Sequence, residues 1–200
     1  MRIGIDIDDT VSKTNDYMVK CALEYDKKYV KGKGFKDKNA YSFMDMFYWT
    51  VVDASNFLEY IRGGKFFLEL EPMDNAIEVI NELKNKGHEI VFITRREDKL
   101  RTRNKTKKWF KNNGIKYDKI FFHCKHKGEL CEDLGVDLFI DNDEANVYEA
   151  EAHGIKAILF DSIYNKDVAD LKRITNWKEV GGEDEKIKAF QKAFKLYKSP

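Results

Sequence analysis

The chain has 200 residues, 42% of them hydrophobic, 36% charged and 14% aromatic, with a formal net charge of +1. That length and composition suit one globular domain, or one domain carrying a smaller insertion, with enough apolar material for a sizeable core. Nearly cancelling charges name no nucleic-acid or membrane partner, no apolar run is long enough to span a bilayer, and the apolar N-terminal stretch meets aspartate by residue 6, so no signal peptide is expected.

Three cysteines (Cys21, Cys124, Cys131) without a CxxC pair suggest reduced thiols in a cytoplasmic protein. The first predicted strand is Arg2–Asp8, nearly continuous and apolar, followed by a helix over Lys13–Tyr29. "VKGKGFKDKNA" then reads as a solvated loop, and residues 41–67 hold nine aromatics, among them Tyr41, Phe43, Phe47, Tyr48, Trp49 and Phe57. "MDNAIEVINELKNKG" predicts a helix with Asp74 near its N-cap and Gly87 past its end. "HEIVFITRR" predicts a strand ending at Thr94, and Asp98–Asn113 a basic helix stopped by Gly114. "KIFFH" (strand), Lys127–Leu134 (helix), "VDLFIDND" (strand), Glu144–His153 (helix) and "IKAILFD" (strand) follow. "EDEKIKAFQKAFKLYK" places Ile187, Phe190, Phe194 and Tyr197 on one helical face, expected to pack back onto the core. The alternation implies an α/β fold, a three-layer, Rossmann-like parallel sheet covered on both faces. Residues 12–70 break the rhythm and read as a small helical insertion after strand one, leaving 1–11 and 71–200 as the core.

"RIGIDIDDTV" crowds Asp6, Asp8 and Asp9 into four positions. Two carboxylates about 4 Å apart repel by roughly 4 kcal/mol at an effective dielectric near 20. Such a cost points to a cation or a reaction. In an open parallel sheet ligands bind beyond the carboxyl ends of the strands, where "DIDD", Thr94 and the "DND" of Asp141–Asp143 would meet. Strand alternation puts Asp6 and Asp8 on one side. With Asp141 they make three hard oxygen ligands suited to Mg²⁺. The plainer reading of any single aspartate is a turn or helix cap, and it is preferred for Asp9.

"DIDDTV" resembles the first motif, DxDx[TV], of the haloacid dehalogenase-like phosphohydrolases. "VFIT" resembles their second motif, and "HKGELCEDLGVDLFIDND" their third and fourth together. The resemblance implies Asp6 as the nucleophile that takes the phosphoryl group, and Asp8 as the acid and base. It implies that Thr94 binds the phosphoryl oxygens, Lys127 offsets their charge and Asp141 binds Mg²⁺. Asp8 must carry a proton part of the time, so nearby negative charge should raise its pKa. Lys125 competes with Lys127, and Asp141-Asn142-Asp143 departs from the family's usual adjacent acids, leaving the parts of Asn142 and Asp143 open.

The position of the insertion, the chain length and "FITRR" resemble the 5'(3')-deoxyribonucleotidase branch of that superfamily. The insertion would then be a cap that chooses the substrate. Phe43, Phe47 and Trp49 are candidates to stack on a base, against the alternative that the rings form the cap's own core. Arg95 and Arg96 could touch the phosphate or lie solvated at the surface.

Three rivals are weaker. Residues 95–111 hold nine Lys or Arg, which a nucleic-acid binder could use, but most basic helices are merely solvated. A phospho-acceptor module would place its aspartate at a later strand end. His123, Cys124, His126 and Cys131 lack a zinc framework. The expectation is therefore a Mg²⁺-dependent phosphomonoesterase working through an aspartyl-phosphate. Its partner is a small phosphate ester, a nucleotide ahead of a sugar phosphate, with no membrane and no nucleic acid, and a homodimer left open.

Overall fold

Six short runs of chain pair side by side, all in parallel: β1 (Arg2–Ile5), β2 (Glu89–Ile93), β3 (Lys119–Phe121), β4 (Leu138–Asp141), β5 (Lys156–Phe160) and β6 (Arg173–Ile174). The computed structural model describes residues 1–38, 40 and 42–180. The helix expected over residues 183–198, with Ile187, Phe190, Phe194 and Tyr197, and the aromatic Tyr41 lie outside the described residues. The strand order is β3-β2-β1-β4-β5-β6, so the chain winds one way from β1 and then the other, and the direction reverses between β1 and β4. That crevice is where an open parallel sheet binds its ligand.

Seven α-helices are described: α1 (Thr14–Tyr25), α2 (Phe43–Met46), α3 (Val51–Gly63), α4 (Ala76–Asn85), α5 (Leu100–Asn112), α6 (Lys127–Leu134) and α7 (Glu144–Ala152). The two-residue period of a strand divides β2 between two cores. Ile90 and Phe92 pack with Val79, Ile80 and Leu83 of α4 and Trp109 and Phe110 of α5. Val91 and Ile93 pack with Cys131 of α6 and Val147 and Ala150 of α7. Both faces are thus covered, as near-continuous apolar strands require.

Departures from the predicted boundaries have local causes. The ladder of β1 stops at Ile5 rather than Asp8. Beyond it the chain folds into a tight loop in which Val11 and Ser12 both donate N–H to the Ile7 carbonyl, with Asp9 at φ 58°. The first helix ends at Tyr25 and continues as a π-helical turn over Asp26–Val30. Asp26 is buried there and its carboxylate accepts from Trp49 Nε1 (2.6 Å) and from Gly34 N–H (3.0 Å). Asp74 stands beside the N-cap of α4, Asn75, as expected, but its carboxylate reaches across to Lys13 at 2.8 Å instead of capping the helix. Strand β6 has no sequence pattern of its own. It is fixed by Arg173, which donates to Asp161 and to the carbonyls of Asn165 and Val168.

The insertion expected at 12–70 lies between β1 and α4 and carries α1, α2, α3 and a 3-10 turn at Phe66–Leu68. Phe47 and Trp49 stack at 4.7 Å with their planes 18° apart, and Phe57 meets Trp49 edge-on. A capping box of Thr50 and Asp53 starts α3. Its C-terminal end is held by α5: Arg101 donates to the Gly63 carbonyl, and Lys105 to those of Arg62 and Gly64. Cations at a helix C-terminus are the favoured sign, so part of the basic helix serves this joint.

Gly128, in the first turn of α6, lies against α7. A Cβ there would stand 2.6 Å from Glu149 backbone and side-chain carbon. Gly128→Ala is therefore expected to lower stability by about 1–3 kcal/mol through forced overpacking. Urea denaturation measures it, and a midpoint equal to that of the native chain would rule out the tight approach.

Candidate active site

Adjacent parallel strands bring the polar strand ends together. Ile5 of β1 is in register with Phe92 of β2 on one side and Ile140 of β4 on the other. Asp6, Thr94 and Asp141 all follow within two residues of these positions. The Asp6 N–H also donates to the Ile140 carbonyl at 2.9 Å. Asp6, Thr94 and Asp141 are buried, at 4%, 0% and 1% exposure.

Lys127, the first residue of α6, points its ammonium between two of these groups. Nζ lies 2.5 Å from Asp6 Oδ1 and 2.8 Å from Asp141 Oδ2, with only 2% of the lysine side chain exposed. Burial works against the charged ammonium, but Asp141 and Asp6 outweigh it and raise its pKa. Lys125 is exposed, so of the two lysines Lys127 reaches the strand ends. Asp141 is pinned further: Oδ2 accepts from Asn146 Nδ2 (2.9 Å) and Oδ1 from the Asp143 N–H (2.9 Å).

For Asp6, burial is the largest influence and pushes its carboxyl up to about 7. Lys127 pulls the other way, while Asp141 and Asp8 add to the rise. One ammonium thus faces two buried carboxylates with a third close by, and the balance is negative. Asp6 Oδ2 accepts no hydrogen bond among the described residues, and Asp141 Oδ1 accepts one. Hard oxygens with open lone pairs and an excess of negative charge fit a small divalent cation.

Asp8 does not complete a three-carboxylate set. Among the described residues no group of three or more His, Cys, Asp or Glu side chains is placed to hold one metal ion. The reason is Arg96. Its Nε lies 3.0 Å from Asp8 Oδ2 and its Nη2 2.7 Å from Oδ1, a two-point clamp, and Thr14 Oγ1 donates to Oδ1 at 2.7 Å. Burial would raise the pKa of Asp8, but Arg96 and then Thr14 bring it below the ordinary carboxylate value. The expected upward shift of Asp8 is thereby reversed. Asp9 takes the capping part preferred for it, accepting from the Asn15 N–H in the first turn of α1 at 2.8 Å.

Of the two arginines after Thr94, Arg95 is exposed, with 54% of its side chain in solvent, and Arg96 is buried. Arg96 is buried on Asp8, and Arg95 donates to Asp143 Oδ2 and Asn146 Oδ1, each at 2.8 Å. Asp143 also caps α7 through the Ala145 N–H (3.0 Å), while the Asn142 side chain accepts from Thr10 at 3.2 Å.

Two cavities open beside these groups. One of about 400 Å³ is lined by Asp8, Asn15, Met18, Arg62, Phe67, Arg95 and Thr102 among others. The second, of about 620 Å³, lies between Met18, Phe43 and Met46 on one wall and Asn142, Asp143 and Tyr164 on the other. Of the three rings expected to meet a base, only Phe43 faces a described cavity. Phe47 and Trp49 are 0% and 6% exposed inside the helical insertion, where Trp49 also serves Asp26. Their burial corrects that expectation: a short insertion spends its largest rings on its own core. Phe67, Met18 and Arg62 line a wall that no sequence motif marked. Asn146, which holds both Asp141 and Arg95, likewise carries no signal beyond its place one turn into the helix after "DND".

With this geometry in view, comparisons with known proteins converge. A "Putative nucleotidase" of Bacillus cereus is 26% identical over 188 residues, covering 90% of this chain and 96% of that protein. A nucleotidase of Clostridium acetobutylicum is 27% identical over 187 residues, covering 91% and 92%. The solved structure of a haloacid dehalogenase-like family hydrolase from Streptococcus pneumoniae superposes with a TM-score of 0.65 at 16% identity, over 91% of this chain and 97% of that one, a likeness of fold. Residues 1–190 match the family described as 5' nucleotidase, deoxy (pyrimidine), cytosolic type C protein. The chain belongs to this family, and so to the phosphomonoester hydrolases of the haloacid dehalogenase-like fold.

Proposed function

We propose that the chain hydrolyses nucleoside monophosphates through an aspartyl-phosphate on Asp6, with Mg²⁺ held by Asp6 and Asp141. The observation that carries this reading is the buried Lys127 ammonium between those two carboxylates, with Asp6 Oδ2 accepting no hydrogen bond among the described residues. A carboxylate attacks a phosphate dianion only when their mutual repulsion is offset. Bound Mg²⁺ supplies charge neutralisation and fixes the phosphate's orientation.

The chain's own residues then divide the work. Asp6 Oδ2 forms a bond to phosphorus as the bond to the ester oxygen breaks, and Asp8 gives that oxygen its proton. A water next attacks the phosphorus of the aspartyl-phosphate. Asp8 takes the water's proton, the bond to Asp6 breaks, and inorganic phosphate leaves with Asp6 restored. Lys127 favours the ionised form of Asp6 and balances the phosphoryl oxygens, and Thr94 Oγ1 binds one of them. The resting clamp on Asp8 suits the second half-reaction, in which an ionised base is wanted.

In the same reading, residues 1–11 and 71–200 are the catalytic core and 12–70 a cap that selects the substrate. The leaving nucleoside occupies the cavity edged by Met18 and Phe67, with Arg95 released from Asp143 to meet the phosphate. Three free cysteines suit a reducing cytoplasm. A sugar phosphate is the competing substrate, favoured by no particular side chain.

Asp6→Asn is expected to abolish turnover with the circular dichroism spectrum unchanged. Residual activity above about 1% would contradict a nucleophilic Asp6, whose loss should cost at least the 100-fold that a positioned catalytic group supplies. Asp8→Asn should be comparably slow, and intact-mass spectrometry after substrate addition should find a phosphoryl adduct if deacylation is the slower step. Chelation should stop the native enzyme and Mg²⁺ restore it.

A screen of nucleoside monophosphates against sugar phosphates tests the substrate class. Higher kcat/KM for the nucleotides is expected, and the reverse order would replace the substrate while keeping the chemistry.

A further inference from the structure

Arg96 is used nowhere in the reaction as written, yet few side chains in the molecule are so completely engaged. Only 2% of its side chain is exposed. Nε and Nη2 grip both oxygens of Asp8, at 3.0 and 2.7 Å, while Nη1 donates to Thr106 Oγ1 of α5 at 3.1 Å. Its backbone N–H donates to Thr94 Oγ1 at 3.1 Å. The guanidinium carbon lies 4.4 Å from the ring centroid of Phe67, in the 3-10 turn that follows α3.

A planar fork matches a carboxylate at two points and so fixes its direction as well as its place. Asp8 needs such a fixture. It sits past the end of the β1 ladder, on a loop whose next residue has a left-handed backbone, and its side chain is about a third exposed. Thr14 alone gives it a single hydrogen bond. A general acid aimed an ångström off the leaving oxygen loses most of its effect.

We infer that Arg96 is a positioning residue for the hydrolysis: it aims the Asp8 carboxylate at the leaving-group oxygen, and its stacking on Phe67 makes that aim depend on how the substrate cavity is filled. The inference rests on the acid–base part assigned to Asp8 above. Phe67 is the physical link, since it lines the 400 Å³ cavity and also carries the guanidinium. Arg96 also lines that cavity, but its donors are already committed to Asp8 and Thr106, which disfavours a direct part in phosphate binding.

The test compares two leaving groups in the full-length enzyme with Mg²⁺. An alkyl phosphate, the best of the screen above, needs a proton on its departing oxygen. p-Nitrophenyl phosphate releases an acidic phenol that leaves without one. kcat/KM reports the first half-reaction in both cases. Arg96→Met should lower kcat/KM for the alkyl ester by about 100-fold, the scale of positioned acid catalysis, and for the aryl ester by less than about 10-fold on the same Brønsted argument. Arg96→Lys, which keeps the charge but not the fork, and Phe67→Leu should show the same split with smaller losses. These two variants carry the test if Arg96→Met melts early.

Equal losses on both esters would mean that Arg96 binds phosphate or only supports the fold, and no loss would mean that it positions nothing. Either result overturns the inference. Asp8→Asn, run in parallel, should show the alkyl–aryl split in full. If Asp8→Asn instead matches the native enzyme on the alkyl ester, the acid–base assignment itself has failed, and that outcome is distinct from a failure at Arg96 alone.

Discussion

The ammonium of Lys127 is the interaction on which the rest of the site depends. It is buried between Asp6 and Asp141, and those three residues come from the end of β1, the start of α6 and the end of β4. Removing one member of such a buried group costs about 3–5 kcal/mol, because the charge left behind has no partner. The fold is arranged to make the contact. β1 and β4 are neighbours at the point where the winding reverses, Asn146 of α7 fixes Asp141, and Gly128 lets α6 lie close enough to α7 for Lys127 to reach inward.

A second ion pair explains how three aspartates can be tolerated within four positions. The carboxylates are divided between two cations: Lys127 serves Asp6 and Asp141, and Arg96 serves Asp8. Asp9 turns away to the start of α1. Like charges that would repel in an extended strand are separated by a loop and neutralised individually. The two environments then push the neighbouring acids in opposite directions, Asp6 upward through burial and Asp8 downward where Arg96 outweighs burial.

Strands and strand ends were legible in the sequence because their causes are local. Apolar runs bounded by glycine and acids mark β1, β2, β4 and β5, and parallel order follows from the alternation with helices. That Asp6, Thr94 and Asp141 share one rim needed only the rule for open sheets. What was hidden depends on partners distant in sequence. Arg96 reads as a phosphate contact or a solvated arginine until β2 and the β1 loop are adjacent. Strand β6 exists because Arg173 finds Asp161 and two carbonyls. The π-helical turn exists because Asp26 has Trp49 and Gly34 to satisfy it.

The helical insertion shows the same limit from the other side. Its aromatic richness is visible in the sequence, but an aromatic run does not say which rings face inward. A small unit has too much surface for its volume and must bury its largest side chains to hold together, so Phe47, Trp49 and Phe57 are consumed by packing. The rings that reach the cavities beside the site are Phe43, at the start of α2, and Phe67, in the 3-10 turn after α3. Phe67 also stacks on Arg96, and α5 supplies both the Thr106 partner of Arg96 and the cations that hold the end of α3. The joint between insertion and sheet and the fixture of Asp8 are therefore one structure: a displacement of the insertion moves Phe67, and with it the guanidinium that orients Asp8.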